Sequence, residues 1–414
     1  MSLSSEQRED SDRVRRARWA VVSLAAAGLL LRIWFVVTTP GTADVRFFHG
    51  FAQAIEKFGP VRVYAQDLPG LPVYNHPPLA GWMLAAMTEL EGMGLPFGVL
   101  IRLPSSLADA VACLLVFEIM RRRVRLRSAV LCALAVALSP VLVGVSAYHG
   151  NTDPIAVTLA LAAAHLLADR KLPLAAGLVA ALAISVKLVP IVAIPVLFVV
   201  ALRGGRAVLL RFGAGFGGLM ALLWGPALLT VPAALKANVL AYEGGRWRLW
   251  GLMKFGDWLG VPEPVMGFAR GDGHFLFVLA CVAAGVWLAW RRPDEAPAVV
   301  GLTMALLLLL STASGVQYLA WAATAVCAVG LWQGLACNAV LGAVAYLAYA
   351  GRSAVVWSEP LQVLAAVGWV VLAVAIADGM RKLLTVPGEP APVPLVTPRS
   401  ASADRPEPAE SAAN

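Results

Sequence analysis

The sequence predicts an all-α polytopic membrane protein, and three observations carry that reading. Hydrophobic residues make up 59% of the chain and charged residues only 14%, with a mean hydropathy of +0.75. No soluble domain of 414 residues has that balance. Apolar runs close to bilayer length recur along the chain. Short basic clusters separate them: Arg13, Arg15, Arg16 and Arg18; Arg121, Arg122, Arg123, Arg125 and Arg127; Arg170 with Lys171; Arg203, Arg206 and Arg211; Arg291 with Arg292; Arg381 with Lys382. This is the distribution that the positive-inside rule gives to a cytoplasmic face. The net charge of +8 therefore orients the chain in a membrane and requires no nucleic-acid partner.

With those clusters on the cytoplasmic side, about twelve crossings are expected, near 19–38, 97–120, 127–147, 154–168, 172–186, 188–202, 207–230, 274–290, 296–311, 315–332, 334–350 and 360–377. The first, WAVVSLAAAGLLLRIWFVVT, is followed by Thr39 and Pro40 rather than by a small-residue cleavage site, so it reads as a retained anchor. The expected organisation is a cytoplasmic segment 1–18, a transmembrane domain 19–382 with outer loops 39–96 and 231–273, and a disordered cytoplasmic tail 383–414 rich in Pro, Ala, Ser and Glu. Residues 79–95 carry Glu89 and Glu91, and a crossing there would put the arginine run 121–127 outside; the segment reads as a helix lying along the outer surface. Residues 44–58 read as an amphipathic interfacial helix with Phe47, Phe48, Phe51 and Ile55 toward lipid. Five cysteines, Cys113, Cys132, Cys281, Cys327 and Cys337, sit in or beside apolar segments without CxxC spacing, which suits small core residues better than a disulfide framework or a zinc site.

The residues able to carry chemistry fall on one face. Asp44 lies just outside the first crossing, where it either caps the interfacial helix through the helix dipole or serves as a base. His76 sits in YNHPPLAGW, 74–82. His149, Asn151 and Asp153 alternate at the junction AYHGNTDP; Asp153 alone is explained as an N-cap before Pro154, but the clustering of the three is not. Lys187, in AISVKLVPIVAIP, either snorkels to the surface or faces the bundle to pair with Asp153 or a phosphate. Arg246 and Arg248, interleaved with Trp247 and Trp250, suit a phosphate at headgroup depth or generic headgroup binding. Gln317 and Tyr318 stand in STASGVQYLAW, 311–321. Arg102 and Asp109 lie two turns apart on one helix, too far to pair directly, and Asp109 is deep enough to need a partner. Transfer of a sugar from a polyprenyl phosphate needs a base for the acceptor hydroxyl, cations for the departing phosphate and a face open to lipid, and this set offers a candidate for each.

As a set, these motifs resemble the GT-C superfamily of polyprenyl-phosphate-sugar-dependent glycosyltransferases. Asp44 followed by YNHPPLAGW is similar to the family's early acid and YPPL-type segment; HGNTDP followed by KLVP is similar to the GN-D/E block and K-x-x-P of polyprenol- and dolichol-phosphate-mannose-dependent mannosyltransferases; GVQYLAW resembles their QY-x-x-W element. The resemblance spans roughly residues 40–320. It implies a GT-C-like bundle and a metal-independent, cofactor-free inverting transfer on the outer face of the cytoplasmic membrane. Asp44 would be the base; Lys187, Arg246 and Arg248 would hold the donor phosphate; His76, His149, Asn151, Asp153, Gln317 and Tyr318 would bind substrate. The implied partners are a polyprenyl-phosphate-linked sugar, mannose being favoured, a lipid or glycan acceptor, and membrane lipids. Two departures stand out: His76 takes the place of an aromatic residue before the prolines, and Asp44 lies in TADVR without a DxD pair. The rivals are a lipid or solute transporter, which would often show an internal repeat that is not seen between the two halves, and a non-catalytic assembly subunit, which would have no reason to gather such residues on one face.

Overall fold

The computed structural model describes residues 5–242, 248–350 and 357–385, with side chains from residue 11 onward. Among the described residues there is no strand. The principal helices are α1 (Ser5–Thr38), α2 (Ala43–Phe58), α3 (Pro78–Gly92), α4 (Leu103–Met120), α5 (Leu126–Ala137), α6 (Asp153–Ala168), α7 (Pro173–Val186), α8 (Ala193–Arg203), α9 (Arg206–Thr230), α10 (Gly251–Trp258), α11 (Glu263–Arg270), α12 (His274–Arg291), α13 (Ala296–Leu310), α14 (Leu331–Ala350) and α15 (Glu359–Thr385). Among the described residues eight helical stretches, not twelve, are long and apolar enough to cross a membrane; four shorter apolar helices, Asp153–Ala168, Pro173–Val186, Val189–Arg203 and Val316–Ala328, lie where the remaining crossings are expected.

The short helices decide the shape of one end. Helix α6 has 16 residues and α7 has 14, so each is at most about 24 Å long against a hydrocarbon core of about 30 Å. Their far ends are tied to the basic end of the molecule. Arg123, after α4, pairs with Asp169 after α6 at 2.9 Å and with Glu295 before α13 at 2.7 Å. Lys171 reaches Asp294 at 3.4 Å, and Arg18 pairs with Glu118 at 2.9 Å. The shortfall in length therefore falls at the opposite end, where Asp153 begins α6 and Lys187 follows α7. Close packing makes the short helices possible. A side chain on Gly177 of α7 would collide with the Phe212 carbonyl of α9, so the two backbones touch where only glycine fits.

Helix α2 departs from its expected orientation. Val45, Phe48, Phe51, Ala52 and Ile55 form its apolar stripe, but Phe48, Phe51 and Ile55 are buried in protein rather than presented to lipid. They join Val63, Tyr64, Tyr74, Leu84, Met87 and Phe97 in a second core, separate from that of the bundle. The segment between α1 and α4 supplies most of its own packing partners, with Trp224, Ala227, Leu235 and Val239 completing the cluster, and burial against protein satisfies the same stripe that a bilayer surface would. Phe47 is only partly buried and packs at the margin of this cluster. Helix α3 is not among the crossing helices, as its two glutamates predict.

Asp109 finds its partner on another helix. Arg32 of α1, in the midst of LLLRIWF, donates from Nε to Asp109 Oδ2 at 2.7 Å, and both side chains are about 1% exposed. The guanidinium also donates to the carbonyls of Ala137 at 2.7 Å and Gly28 at 3.0 Å. The sequence pattern does not single out Arg32, yet a charge inside an apolar run is itself a sign of a buried partner. Removing one member strands the other. Asp109→Leu is expected to destabilise the bundle by about 3–5 kcal/mol, and the double change Arg32→Met with Asp109→Leu by clearly less, since it leaves no orphaned charge. Thermal unfolding of the purified variants in detergent checks this; equal losses would show that shape rather than charge pairing sets the cost.

Candidate active site

The site is assembled where α1, α2, the α5–α6 junction, α7 and α14 end together. After α1 the chain turns through Pro40 and Gly41 (φ +79°) and enters α2 at Ala43, with Thr42 extended before it. This places Asp44 in the first turn, beside unpaired backbone N–H groups that favour a carboxylate. On the far side, Pro140 interrupts the helix that begins with α5, and the chain continues as a wide helical turn over Val143–His149. Gly150 (φ +82°) then reverses the backbone, so that His149 faces Asp44 while Asn151 starts the next helix. Asn151 Oδ1 accepts the Asp153 N–H at 2.9 Å, and Pro154 follows at the second position of α6.

His149 Nε2 lies 2.8 Å from Asp44 Oδ2, and His149 Nδ1 lies 2.9 Å from the Tyr349 hydroxyl at the end of α14. The Asp44 side chain is 37% exposed and that of His149 10%. Burial pushes the Asp44 carboxyl up, but the hydrogen bond from His149, with the Lys187 ammonium, outweighs it and holds the group below its ordinary value. Asp44 is therefore an ionised acceptor with one oxygen engaged.

Lys187 adopts an extended conformation at the end of α7, where Pro190 prevents the helix from continuing. Its Nζ lies 3.9 Å from Asp153 Oδ1. Asp153 is fully buried, and neither of its carboxylate oxygens has a hydrogen-bond partner. Trp321 Nε1, which faces this carboxylate, is likewise unpartnered. A fully buried acid thus faces a partly buried cation at ion-pair range but beyond hydrogen-bond range, with its hydrogen-bonding capacity unmet.

His76 reaches the same region from the segment between α2 and α3. Residues Asn75–Pro77 are extended because each proline disfavours helix in the residue before it, and Pro78 begins α3. Alternation puts Tyr74 and His76 on one side, both buried. The Tyr64 hydroxyl donates to the His76 carbonyl at 2.7 Å, and Phe48 packs against the imidazole. Burial, then the field of Lys187, pushes His76 well below the ordinary imidazole range, so it is neutral, and its Nδ1 has no partner.

Tyr318 stacks on Trp321 at 4.6 Å and faces Asp153, Tyr242 and Asp44. Gln317 curls back over Gly315, where a side chain would meet its amide at 2.8 Å. Arg248 is held by Asp257 at 2.7 Å and by Glu263 at 2.5 Å, and none of its described hydrogen bonds goes to the Asp44 group. Arg246 lies outside the described residues. The structure thus gathers Asp44, His76, His149, Asp153, Lys187 and Tyr318, gives Asn151 a backbone role, leaves Gln317 folded over Gly315, and holds Arg248 on local carboxylates. Tyr349, Tyr242 and Trp321 join the site without having been singled out. Tyr349 sits in an apolar run with no accompanying motif; Trp321 follows Gln317 and Tyr318 in the same short segment and could have been read with them.

The fold is that of an all-α polytopic membrane protein, and the family comparison supports a membrane glycosyltransferase of the GT-C superfamily. More particularly, the family model described as dolichyl-phosphate-mannose-protein mannosyltransferase matches residues 75–229, a stretch that holds His76, His149, Asn151, Asp153 and Lys187 and ends with α9. This match supports a glycosyltransferase of the mannosyltransferase type. No match is found among curated proteins.

Gly150→Ala tests the backbone reversal that presents His149. An added Cβ would sit 3.1 Å from both Arg102 Cγ and Val45 Cγ2 in a left-handed conformation. The expected outcome is a loss of about 1–3 kcal/mol in stability, read as a lowered unfolding temperature. An unchanged temperature would mean that the turn relaxes freely.

Proposed function

We propose that the protein transfers a sugar, mannose being the one the family match favours, from a polyprenyl-phosphate donor to a hydroxyl of a glycolipid or glycan acceptor. The transfer takes place on the extracytoplasmic face of the cytoplasmic membrane, with inversion. The observation that carries this reading is the convergence of an ionised, half-open Asp44 with the partly buried Lys187 and the buried Asp153 at one end of the bundle, opposite the arginine-rich end. The positive-inside rule supports the orientation. A transporter reading lacks such support, because the buried charges remote from this end, Arg32 and Asp109, close on each other.

In the proposed reaction Asp44 takes the proton of the acceptor hydroxyl as its oxygen attacks the anomeric carbon from the face opposite the phosphate. The bond from that carbon to the phosphate oxygen breaks, and polyprenyl phosphate departs with the electron pair. Lys187 stabilises the charge that develops on it. Arg246 serves as a second phosphate contact, whereas Arg248 would have to give up Asp257 or Glu263 to do so. His76, Asp153 and Tyr318, with the helix start at Asn151, line the sugar side, and Gln317 contributes where its loop meets substrate. No metal or cofactor takes part.

The test uses the purified full chain in lipid with radiolabelled polyprenyl-phosphate mannose and a membrane glycolipid extract. Wild type is expected to transfer label, and Asp44→Asn, folded to the same unfolding temperature, to lose on the order of 10²–10⁴-fold in rate. Equal transfer by both proteins would remove Asp44 from the chemistry; transfer only from a different donor sugar would keep the class and replace mannose.

A further inference from the structure

We propose that His149 and Tyr349 are positioning residues that lock the base: the Tyr349 hydroxyl donates to His149 Nδ1, this fixes the neutral Nε2–H tautomer, and that N–H donates to Asp44 Oδ2, leaving Oδ1 as the atom that receives the acceptor's proton. The inference rests on the reading of Asp44 as the base.

The argument is one of hydrogen-bond direction. Both ring nitrogens of His149 are engaged, at 2.8 Å by Asp44 and at 2.9 Å by Tyr349. A neutral ring protonated only at Nδ1 would set a bare Nε2 lone pair against a carboxylate, which is repulsive. A doubly protonated ring would require the Tyr349 oxygen to accept, and its own O–H would then point into a packed region. Among the described residues Tyr349 has no second hydrogen-bond partner, and its ring is packed against Tyr148 and His149. Only the Nε2–H form satisfies every donor and acceptor in the row. Three segments far apart in sequence must be in register for this: the first turn of α2, the turn before Gly150 and the end of α14. Thr42 Oγ1 donates to the His149 carbonyl at 3.2 Å, so the chain just before Asp44 also holds the backbone of the residue that orients it.

The charged and titratable groups around His149 are Asp44 on α2, Arg102 before α4, Tyr148 beside it, Asp153 at the start of α6, Lys187 after α7, Tyr318 and Tyr349. Arg102 is turned to carbonyls and Thr39. Lys187 and Asp153 face each other. Only Asp44 and Tyr349 make side-chain hydrogen bonds to the ring. The consequence has a definite sign. A donor to the carboxylate favours its ionised form, so loss of that donor raises the pH at which Asp44 protonates, and activity is then lost on the acid side and kept on the alkaline side.

Two readouts test the relay in the full chain in lipid. In the first, nitrogen-15 spectra of histidine-labelled protein, with the His149 signals assigned by their disappearance in His149→Gln, are expected to show a protonated Nε2 and a bare Nδ1. Tyr349→Phe should leave Nε2 protonated, because the carboxylate still requires that donor, and shift the Nδ1 signal as its hydrogen bond is lost. In the second, the acid limb of kcat/KM for transfer from polyprenyl-phosphate mannose is expected to move up by roughly one pH unit in His149→Leu, which removes the donor to Asp44, and not to move up in Tyr349→Phe, which keeps it. It should stay near wild type in His149→Gln, which keeps a donor. A protonated Nδ1 in the wild type overturns the proposal, as does a uniform fall in rate at every pH with the limb unmoved in His149→Leu. If the wild type transfers no label, the spectra alone decide the relay and the failure belongs to the donor assignment. If His149→Leu does not fold, the spectra of wild type and Tyr349→Phe decide it.

Discussion

The guanidinium of Arg102 ties together the segments on which the site depends. It donates to the Val36 carbonyl at 2.8 Å, to Thr39 Oγ1 at 3.1 Å, to the Ala147 carbonyl at 3.2 Å and to the Gly98 carbonyl at 2.5 Å. One side chain therefore closes the end of α1, the turn that delivers His149 and the start of its own helix. Five donors in a fixed fork suit this task, since each helix end leaves carbonyls without intrahelical partners. Gly150 and Gly41 lie against this side chain, and a Cβ at Gly150 would crowd its stem. The 2.8 Å contact between Asp44 and His149 is a consequence of that knot, because the two residues sit only a few positions beyond the atoms that Arg102 grips.

A second constraint acts along the membrane normal. Charges within an apolar bundle persist only when matched, and this chain matches them in three separate ways. In the bundle core Arg32 and Asp109 form a closed pair with backbone carbonyls completing the guanidinium. At the basic end Arg123 is saturated by Asp169 and Glu295, with His165 on the second oxygen of Asp169. At the Asp44 end Asp153 and Lys187 stand 3.9 Å apart, with both oxygens of the acid unpartnered.

Much of this was legible in the sequence. Lys187 and Asp153 were expected to meet if the lysine faced the bundle, and Asp44 was expected in the first turn of an interfacial helix. Both expectations rest on local signals, a charge in an apolar run and an acid before an amphipathic stripe. The burial of that stripe was not legible, because Phe48, Phe51 and Ile55 would satisfy either lipid or protein equally well. Arg248 beside two tryptophans looked the same as a phosphate ligand would, since the carboxylates that hold it are 9 and 15 residues away. Tyr349 carried no signal: its one relevant neighbour is 200 residues distant.

The sequence by itself determined the class, the twelve apolar segments and the end of the bundle at which the polar residues gather. Hydropathy, length and arginine placement act locally, and a bilayer converts them directly into helices and orientation. The tertiary structure alone decided which polar residues touch. It matched Arg32 to Asp109, brought Tyr349 to His149 and turned α2 inward. Those outcomes depend on how helices of unequal length pack, through glycine contacts and helix ends that no local window contains.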